Sequence, residues 1–196
     1  MLVIGLAGGS GSGKGTVSSH FRKYGIPVFN SDACYHRMIS RNGPLTRDLA
    51  EEFGTQILKE NGGIDRRALF AAAFVDQKQR ERLNAISHSR ILVRMHEWIR
   101  QREQDGVSAV LIDAPLLFEA GLERECDRTV AVTAPREVRI QRIIRRDKIS
   151  REEAERRIAA QITDDELRRR ADVVFCNDGN LEKLKEQVEE FLNKIK

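Results

Sequence analysis

The chain has 196 residues, a length that suggests one compact domain with room for an inserted lobe. Hydrophobic residues make up 40% and charged residues 33%, a balance that excludes a disordered or low-complexity chain. The formal net charge of +4 is typical of a protein with an anionic partner, and it leaves open whether that partner is a phosphorylated small molecule or a nucleic acid.

Short apolar runs alternate with helical segments along the chain, a pattern typical of an α/β fold. The runs are almost continuously apolar, which favours strands of a parallel sheet covered on both faces. They lie at 1–7, 26–30, 108–113, 129–133 and 173–176. Helices are predicted over 13–23, 68–75, 79–102 and 181–196. Because the gap between the second and third strands is too long for one crossover helix, we predict an inserted helical lobe there.

The strongest motif is the glycine-rich segment Gly8–Thr16, which follows the first strand and opens the first helix. Glycines allow backbone N–H groups to turn around a polyphosphate, and the helix N-terminus and Lys14 add positive charge. Ser or Thr usually follows the lysine. Here that residue is Gly15, so the hydroxyl that binds Mg²⁺ must come from Thr16. The alternative is a glycine-rich turn without a ligand. The dinucleotide-binding pattern does not fit, since Lys14 or Thr16 would take the place of its last glycine.

Two aspartates follow predicted strands, at the end of a parallel sheet where ligands bind. Asp32, just beyond the second strand, has the chemistry to accept a proton from an attacking hydroxyl, or to cap a helix that starts at Ala33. Asp113 ends the third strand, where a carboxylate typically holds Mg²⁺ in phosphoryl-transfer enzymes. The alternative for Asp113 is a turn aspartate before Pro115.

A basic segment follows the fourth strand. Its Arg139, Arg142 and Arg146 fall on one face of a helix, a face suited to clamping phosphates. Ser150 opens a capping box, so a second charged helix follows after a short turn, and the pair is a candidate lid over a nucleotide. The alternative is a solvated basic surface.

Other residues give weaker signals. Arg66 follows a glycine pair and has the chemistry to bind a second anionic substrate, whereas a lone helical His88 is more often structural. The three cysteines, Cys34, Cys126 and Cys176, match neither a zinc spacing nor a disulfide framework. The absence of a disulfide framework predicts a protein of the reducing cytoplasm. No apolar run approaches the roughly 18–20 residues that span a bilayer, so we predict no membrane partner.

The order of the motifs resembles that of the dephospho-CoA kinases over nearly the whole chain. The motifs are the phosphate loop, Asp32, GIDRRAL at 63–69, ISH at 86–88, DAPLLFE at 113–119, RIIRRD at 142–147, AAQ at 159–161, and ADV at 171–173 with Asn177. The chain departs from the family pattern at Ser10, Gly15 and Ser89, where an apolar residue, a serine and a proline are usual.

The resemblance implies a P-loop kinase fold, a five-stranded parallel sheet in the order 2-3-1-4-5 flanked by helices. It further implies one domain with three parts. The nucleotide-binding core would comprise 1–31, 107–135 and 166–196. An inserted helical lobe for the CoA side would comprise 32–106, and an arginine-rich lid 136–165.

The resemblance also implies transfer of the ATP γ-phosphate to the ribose 3′-hydroxyl of dephospho-CoA, the last step of coenzyme A synthesis. Asp32 would be the general base, and Arg142 and Arg146 the lid arginines. Arg66 and His88 would lie on the CoA side. ATP would bind to Gly11, Ser12, Gly13, Lys14, Gly15, Thr16 and Asn177, and Mg²⁺ to Thr16 and Asp113.

Two other classes of function stay open from the sequence. One is a P-loop kinase that acts on a nucleoside monophosphate or a small alcohol. The other is a nucleotide-dependent switch or a nucleic-acid-binding protein, which the basic charge favours. We expect no nucleic-acid partner, because aromatic residues make up only 6% of the chain and do not alternate with the arginines.

Overall fold

The computed structural model describes residues 1–195, and its strands and helices alternate as predicted. The strands are β1 (Leu2–Ala7), β2 (Val28–Asn30), β3 (Ala109–Asp113), β4 (Arg128–Thr133) and β5 (Val173–Cys176). The helices are α1 (Lys14–Lys23), α2 (Ser31–Ile39), α3 (Pro44–Phe53), α4 (Arg66–Ala73), α5 (Gln77–Gln104), α6 (Arg136–Asp147), α7 (Arg151–Ala159), α8 (Asp164–Arg170) and α9 (Leu181–Lys194). Short 3-10 turns cover Thr55–Ile57 and Leu122–Glu125.

The strands form one five-stranded sheet in the order β2-β3-β1-β4-β5, which confirms the predicted fold class and strand order. In the parallel register of β1 with its two neighbours, Leu6 lies opposite Asp113 on one side and Val130 on the other. Side chains on both faces of β3 are buried. This double burial explains why the strands are almost continuously apolar.

The chain divides into two compact units. The first, called here the sheet unit, comprises residues 1–29 and the described residues from 105 onward. Its core includes Phe21 of α1, Phe175 of β5 and Phe191 of α9, with ring centroids of Phe175 and Phe191 5.9 Å apart. Helix α9 ends at Lys194, whereas the prediction extended it to Lys196, which lies outside the described residues.

The second unit, called here the helical unit, comprises residues 30–104 and has a core of its own. Two of its helices, α4 and α5, begin after aspartates whose side chains accept backbone hydrogen bonds. The carboxylate of Asp65 accepts from Arg67 N and Ala68 N, so α4 begins at Arg66, earlier than predicted. Asp76 likewise accepts from Gln79 N ahead of α5. Although α5 has 28 residues, no helix within residues 1–195 is long and apolar enough to cross a membrane.

We expect Leu111→Ala in β3 to lower the free energy of unfolding by about 2–5 kcal/mol, because its side chain is fully buried and its removal leaves a cavity. Leu181→Ala is the matched control in the same unit. Since Leu181 is 57% exposed, that change should cost less than about 0.5 kcal/mol. Urea denaturation of both variants measures the difference. Equal costs would contradict the central position of β3.

Candidate functional site

The glycine-rich loop connects the end of β1 to the start of α1 and keeps backbone donors unpaired. The N–H groups of Gly11, Gly13, Lys14 and Gly15 have no acceptor within residues 1–195. They precede or open α1, whose N-terminal end carries the positive end of the helix dipole. Such a row of free donors is a binding site for a phosphate chain.

The carbonyl groups of the same loop are bound by side chains from distant parts of the sheet unit. Arg142 Nη1 donates to Gly11 O at 3.1 Å, and Asn177 Nδ2 donates to Ser12 O at 2.8 Å. Arg142 Nη2 also donates to Asn177 Oδ1 at 3.0 Å. Ser12 is fully buried, so its side chain belongs to the interior of the loop. The structure thus brings Arg142 and Asn177 together at the loop.

Two glycines of the loop have a conformation and a packing that other residues do not tolerate. Gly11 and Gly13 have φ values of 77° and 100°. A Cβ on Gly13 would lie 2.0 Å from Asn177 Nδ2, and one on Gly11 would lie 2.6 Å from the carbonyl oxygen of Arg139. These glycines therefore permit the contacts that cover the loop.

Lys14, the first residue of α1, forms an ion pair with Asp113 at the end of β3. The Asp113 side chain is only 4% exposed and that of Lys14 15%. Because a buried carboxylate needs a partner, the lysine stabilises the charged form of Asp113. The two predicted site residues are thus in direct contact.

A cavity of about 560 Å³ lies beside the loop in the sheet unit. It is lined in part by Pro135, Ile158, Gln161, Arg168 and Asn177. Arg168 Nη2 donates to Thr133 Oγ1 at 3.1 Å. The cavity has apolar walls with a few polar groups, which is typical of a small-molecule site.

Arg146, the other predicted lid arginine, lies at the end of α6 and makes a bidentate ion pair with Asp147. Arg146 and Arg157 lower the pKa of the Asp147 carboxyl to about 2. The capping box predicted at Ser150 is confirmed, since Ser150 and Glu153 exchange hydrogen bonds at the start of α7. Helices α6 and α7 pack through Ile140, Ile143 and Ala154.

In the helical unit, Asp32 is the second residue of α2, and the alternative that it caps this helix is wrong. The cap is Asn30, whose Oδ1 accepts from Ala33 N at 2.7 Å. Asp32 is exposed, and its carboxylate makes no hydrogen bond or ion pair within residues 1–195. Its carboxylate is therefore available to a ligand.

Arg66 and His88, the other residues predicted on the side of the second substrate, also lie in the helical unit. Arg66 is the first residue of α4. Burial raises the pKa of the Tyr35 hydroxyl, and the positive charge of Arg66 opposes that rise. Burial lowers the pKa of His88, which favours its neutral form.

The sequence predicted Arg139 only as part of a phosphate-clamping helix face, and it did not predict Gln161 or Arg168 as site residues. Arg139 was assigned to the basic face of α6, and Gln161 belongs to the AAQ motif at 159–161. Arg139 is only 4% exposed and bonds to Ser10 O, Gln161 and Asp164. The helical spacing of the arginines was the available signal, but spacing carries no information on burial depth.

Known proteins are similar to this chain over its whole length. A family model described as dephospho-CoA kinase matches residues 2–183. A dephospho-CoA kinase of Fusobacterium nucleatum is 37% identical over 195 residues, covering 100% of this chain and 99% of that protein. One of Bacillus licheniformis is 38% identical, covering 98% and 96%. The crystal structure of a Thermus thermophilus protein aligns with a TM-score of 0.81 at 33% identity, covering 100% and 98%.

We expect Gly13→Ala to lower the free energy of unfolding by about 1–2 kcal/mol, because it forces a side chain into the left-handed region and against Asn177. Gly15→Ala is the matched control two residues further on. A Cβ there meets no atom within 4 Å, and its φ is not positive, so helix α1 should gain stability. Urea denaturation gives both values, and a loss in Gly15→Ala as large as that in Gly13→Ala would contradict this geometry.

Proposed function

The chain belongs to the dephospho-CoA kinase family, and from that premise we propose a role for each residue of the candidate site. The protein catalyses the ATP-dependent phosphorylation of dephospho-CoA in coenzyme A synthesis. We propose that the acceptor atom is the ribose 3′-hydroxyl. On the nucleotide side, the observation that carries the proposal is the row of unpaired N–H groups around Lys14.

On the donor side, Gly11 to Thr16 hold the β- and γ-phosphates of ATP. Phosphoryl transfer needs little covalent help from the protein and mainly requires positioning and charge stabilisation. The free N–H groups supply fixed donors, and Lys14 supplies a mobile cation on the β- and γ-oxygens. Asn177 acts beside them by holding the carbonyl of Ser12.

On the acceptor side, Asp32 is the general base. As the 3′-oxygen attacks the γ-phosphorus, its proton passes to the Asp32 carboxylate, and the bond from phosphorus to the β,γ-bridging oxygen breaks to leave ADP. The exposure of Asp32 and its lack of a protein partner support this role. A carboxylate already bonded to the protein would be a poorer acceptor.

Arg142 and Arg146 stabilise the charge of the transferring phosphoryl group. Arg142 carries its charge at the loop, where it already contacts two carbonyl groups. Arg146 is exposed and pairs with Asp147, which raises the pKa of the guanidinium. Its role requires exchange of Asp147 for a phosphate, which like a carboxylate accepts bidentate hydrogen bonds from arginine.

Arg66 and His88 bind dephospho-CoA in the helical unit. Arg66 contributes positive charge toward the acceptor's phosphate groups. His88, with its pKa lowered by burial, acts as a neutral hydrogen-bonding group.

The residues present fit Mg²⁺. Mg²⁺ uses one or two protein oxygens and completes its shell with phosphate oxygens and water. Thr16 and Asp113 provide such a set, a hydroxyl in the first turn of α1 and a buried carboxylate. The described part of the chain contains no larger cluster of acidic, histidine and cysteine side chains suited to a metal. When bound, Mg²⁺ would neutralise charge on the phosphates of ATP.

The three free cysteines are consistent with work in the reducing cytoplasm, which we propose as the location. The proposed partners are the small-molecule substrates alone. The overall test is release of ADP with Mg²⁺-ATP and dephospho-CoA, beside reactions with AMP and without an acceptor. Release with AMP alone, or without any acceptor, would contradict the proposal.

We expect Asp32→Asn to lower kcat by about 100-fold or more, since loss of a general base costs this much. Steady-state ADP release with dephospho-CoA measures the change. Glu51→Gln, which neutralises another exposed carboxylate of the helical unit, should leave kcat unchanged. Near-normal turnover of Asp32→Asn would remove Asp32 from the proton transfer.

We expect Thr16→Val to raise the Mg²⁺ concentration for half-maximal activity by about tenfold, since a cation with few protein ligands loses one oxygen. Adding Gly15→Ser to this variant places a hydroxyl at the usual position, where a side chain meets no atom within 4 Å. Recovery of the Mg²⁺ response in the double variant is the expected result. An unchanged response in Thr16→Val would assign the ligand elsewhere.

A further inference from the structure

We propose that Arg139 and Gln161 are positioning residues that hold the phosphate loop at Ser10 and so fix its free N–H groups before ATP binds. The two side chains are called here the Ser10 clamp. The inference rests on the proposed role of the loop in binding the phosphates of ATP. It adds a function for two residues that touch the loop and not the reacting atoms.

Both polar groups of the Ser10 backbone are bonded to the clamp. Ser10 N donates to Gln161 Oε1 at 2.9 Å, and Arg139 Nε donates to Ser10 O at 3.0 Å. Gln161 Nε2 also lies 3.3 Å from Ser10 Oγ as a donor. Ser10, the residue before the free donor Gly11, is thereby held through both its N–H and its C=O group.

The two side chains of the Ser10 clamp also bond to each other, and Arg139 bonds to Asp164. Arg139 Nη2 donates to the same Gln161 Oε1 at 3.2 Å, and Arg139 Nη1 donates to Asp164 Oδ1 at 2.8 Å. Burial lowers the pKa of Arg139, and Asp164 opposes that effect, so the guanidinium stays charged. An arginine that is 4% exposed and bonded at all three nitrogens has little capacity left for a ligand phosphate. Its role is therefore to hold the loop.

The glycines of the loop make room for this clamp. A Cβ on Gly9 would lie 2.2 Å from Arg139 Nη2 and 3.0 Å from Gln161 Oε1. A Cβ on Gly11 would meet the backbone of Arg139 at 2.6–3.1 Å. The loop sequence is thus fitted to Arg139 on its outer side as well as to phosphates on its inner side.

The clamp also belongs to the wall of the cavity beside the loop, which Arg139, Gln161 and Asp164 line. A loop held in its binding geometry by the surrounding fold loses less freedom when the ligand binds. The expected effect of the clamp is therefore on affinity for any ligand that uses the loop, whatever is attached to the phosphates.

The test compares ATP with inorganic tripolyphosphate, which shares the phosphates and lacks the nucleoside. In Gln161→Leu, Ser10 N and Arg139 Nη2 lose Gln161 Oε1 as their acceptor. We expect the Kd of both ligands to rise by the same factor, about tenfold. The KM for ATP should rise with kcat nearly unchanged, since the loss is shared by ground and transition states. Isothermal titration on the full chain, with steady-state kinetics, measures both.

Three further variants complete the design. Gln161→Glu keeps the acceptor oxygens and should bind both ligands within about threefold of the unaltered chain. Gln141→Leu makes the same change at an exposed glutamine of α6 whose side chain donates to Glu137, and should have no effect. Arg139→Lys keeps the charge but loses the bond to Ser10 O, and should reproduce the shared loss. It provides the same comparison if Gln161→Leu does not fold.

The outcomes separate the alternatives. A loss with ATP but not with tripolyphosphate would overturn the clamp, because Gln161 would then act on the nucleoside. Unchanged affinity for both ligands in Gln161→Leu and Arg139→Lys would overturn it too. If the unaltered chain bound neither ligand, the proposed function itself would fail, a result distinct from failure of the clamp alone.

Discussion

The phosphate loop must keep several backbone N–H groups unpaired, and this constraint determines what surrounds it. Unpaired backbone groups are costly, so such a loop is held through its carbonyl groups instead. Every carbonyl group from Gly9 to Gly13 accepts a hydrogen bond. Backbone N–H groups donate to the first and last of them, Ser12 N to Gly9 O and the N–H groups of Thr16 and Val17 to Gly13 O. Side chains donate to the three between: Arg139 to Ser10 O, Arg142 to Gly11 O and Asn177 to Ser12 O. Three of these donors come from the second half of the chain. The geometry of a motif near the N-terminus therefore depends on the fold of residues more than a hundred positions later.

The cations around the loop differ in what they must give up when a polyphosphate binds. Arg139 is fixed by Asp164 and is buried. Arg142 bonds to neutral groups and has no carboxylate partner within residues 1–195, so its charge is already available to phosphate. Lys14 is paired with Asp113 and must exchange that carboxylate for phosphate oxygens. The three cations thus have different functions: Arg139 holds the loop, Arg142 offers a charge without a carboxylate partner, and Lys14 must leave its partner. These differences come from their burial and their partners.

The sequence predicted the fold well because its signals are local. Short, almost continuously apolar runs predicted five strands, and the loop motif carries its own backbone requirements, so β1 and α1 were predicted to within one residue. The strand order came from resemblance, since nothing local specifies which strands are neighbours. The cap of α2 was assigned to Asp32 as one alternative, but Asn30 takes it, because two polar residues compete within one turn. The clamp of Arg139 and Gln161 joins three distant segments, and no local pattern marks such contacts.

Gly15 stands where the family pattern usually has serine, and this difference changes the chemistry of the loop without a steric cause. A side chain at this position would meet no atom within 4 Å, so the fold accepts serine there as readily as glycine. Because glycine replaces the usual serine, the chain lacks one hydroxyl in the first turn of α1. Thr16 supplies a hydroxyl one residue later. The glycine at position 15 leaves the contacts of Arg139, Arg142 and Asn177 with the loop unchanged. These three residues contact the loop at residues up to Gly13. The cradle for phosphates and the ligand for the metal are therefore separable parts of this motif, and each can vary while the other is kept.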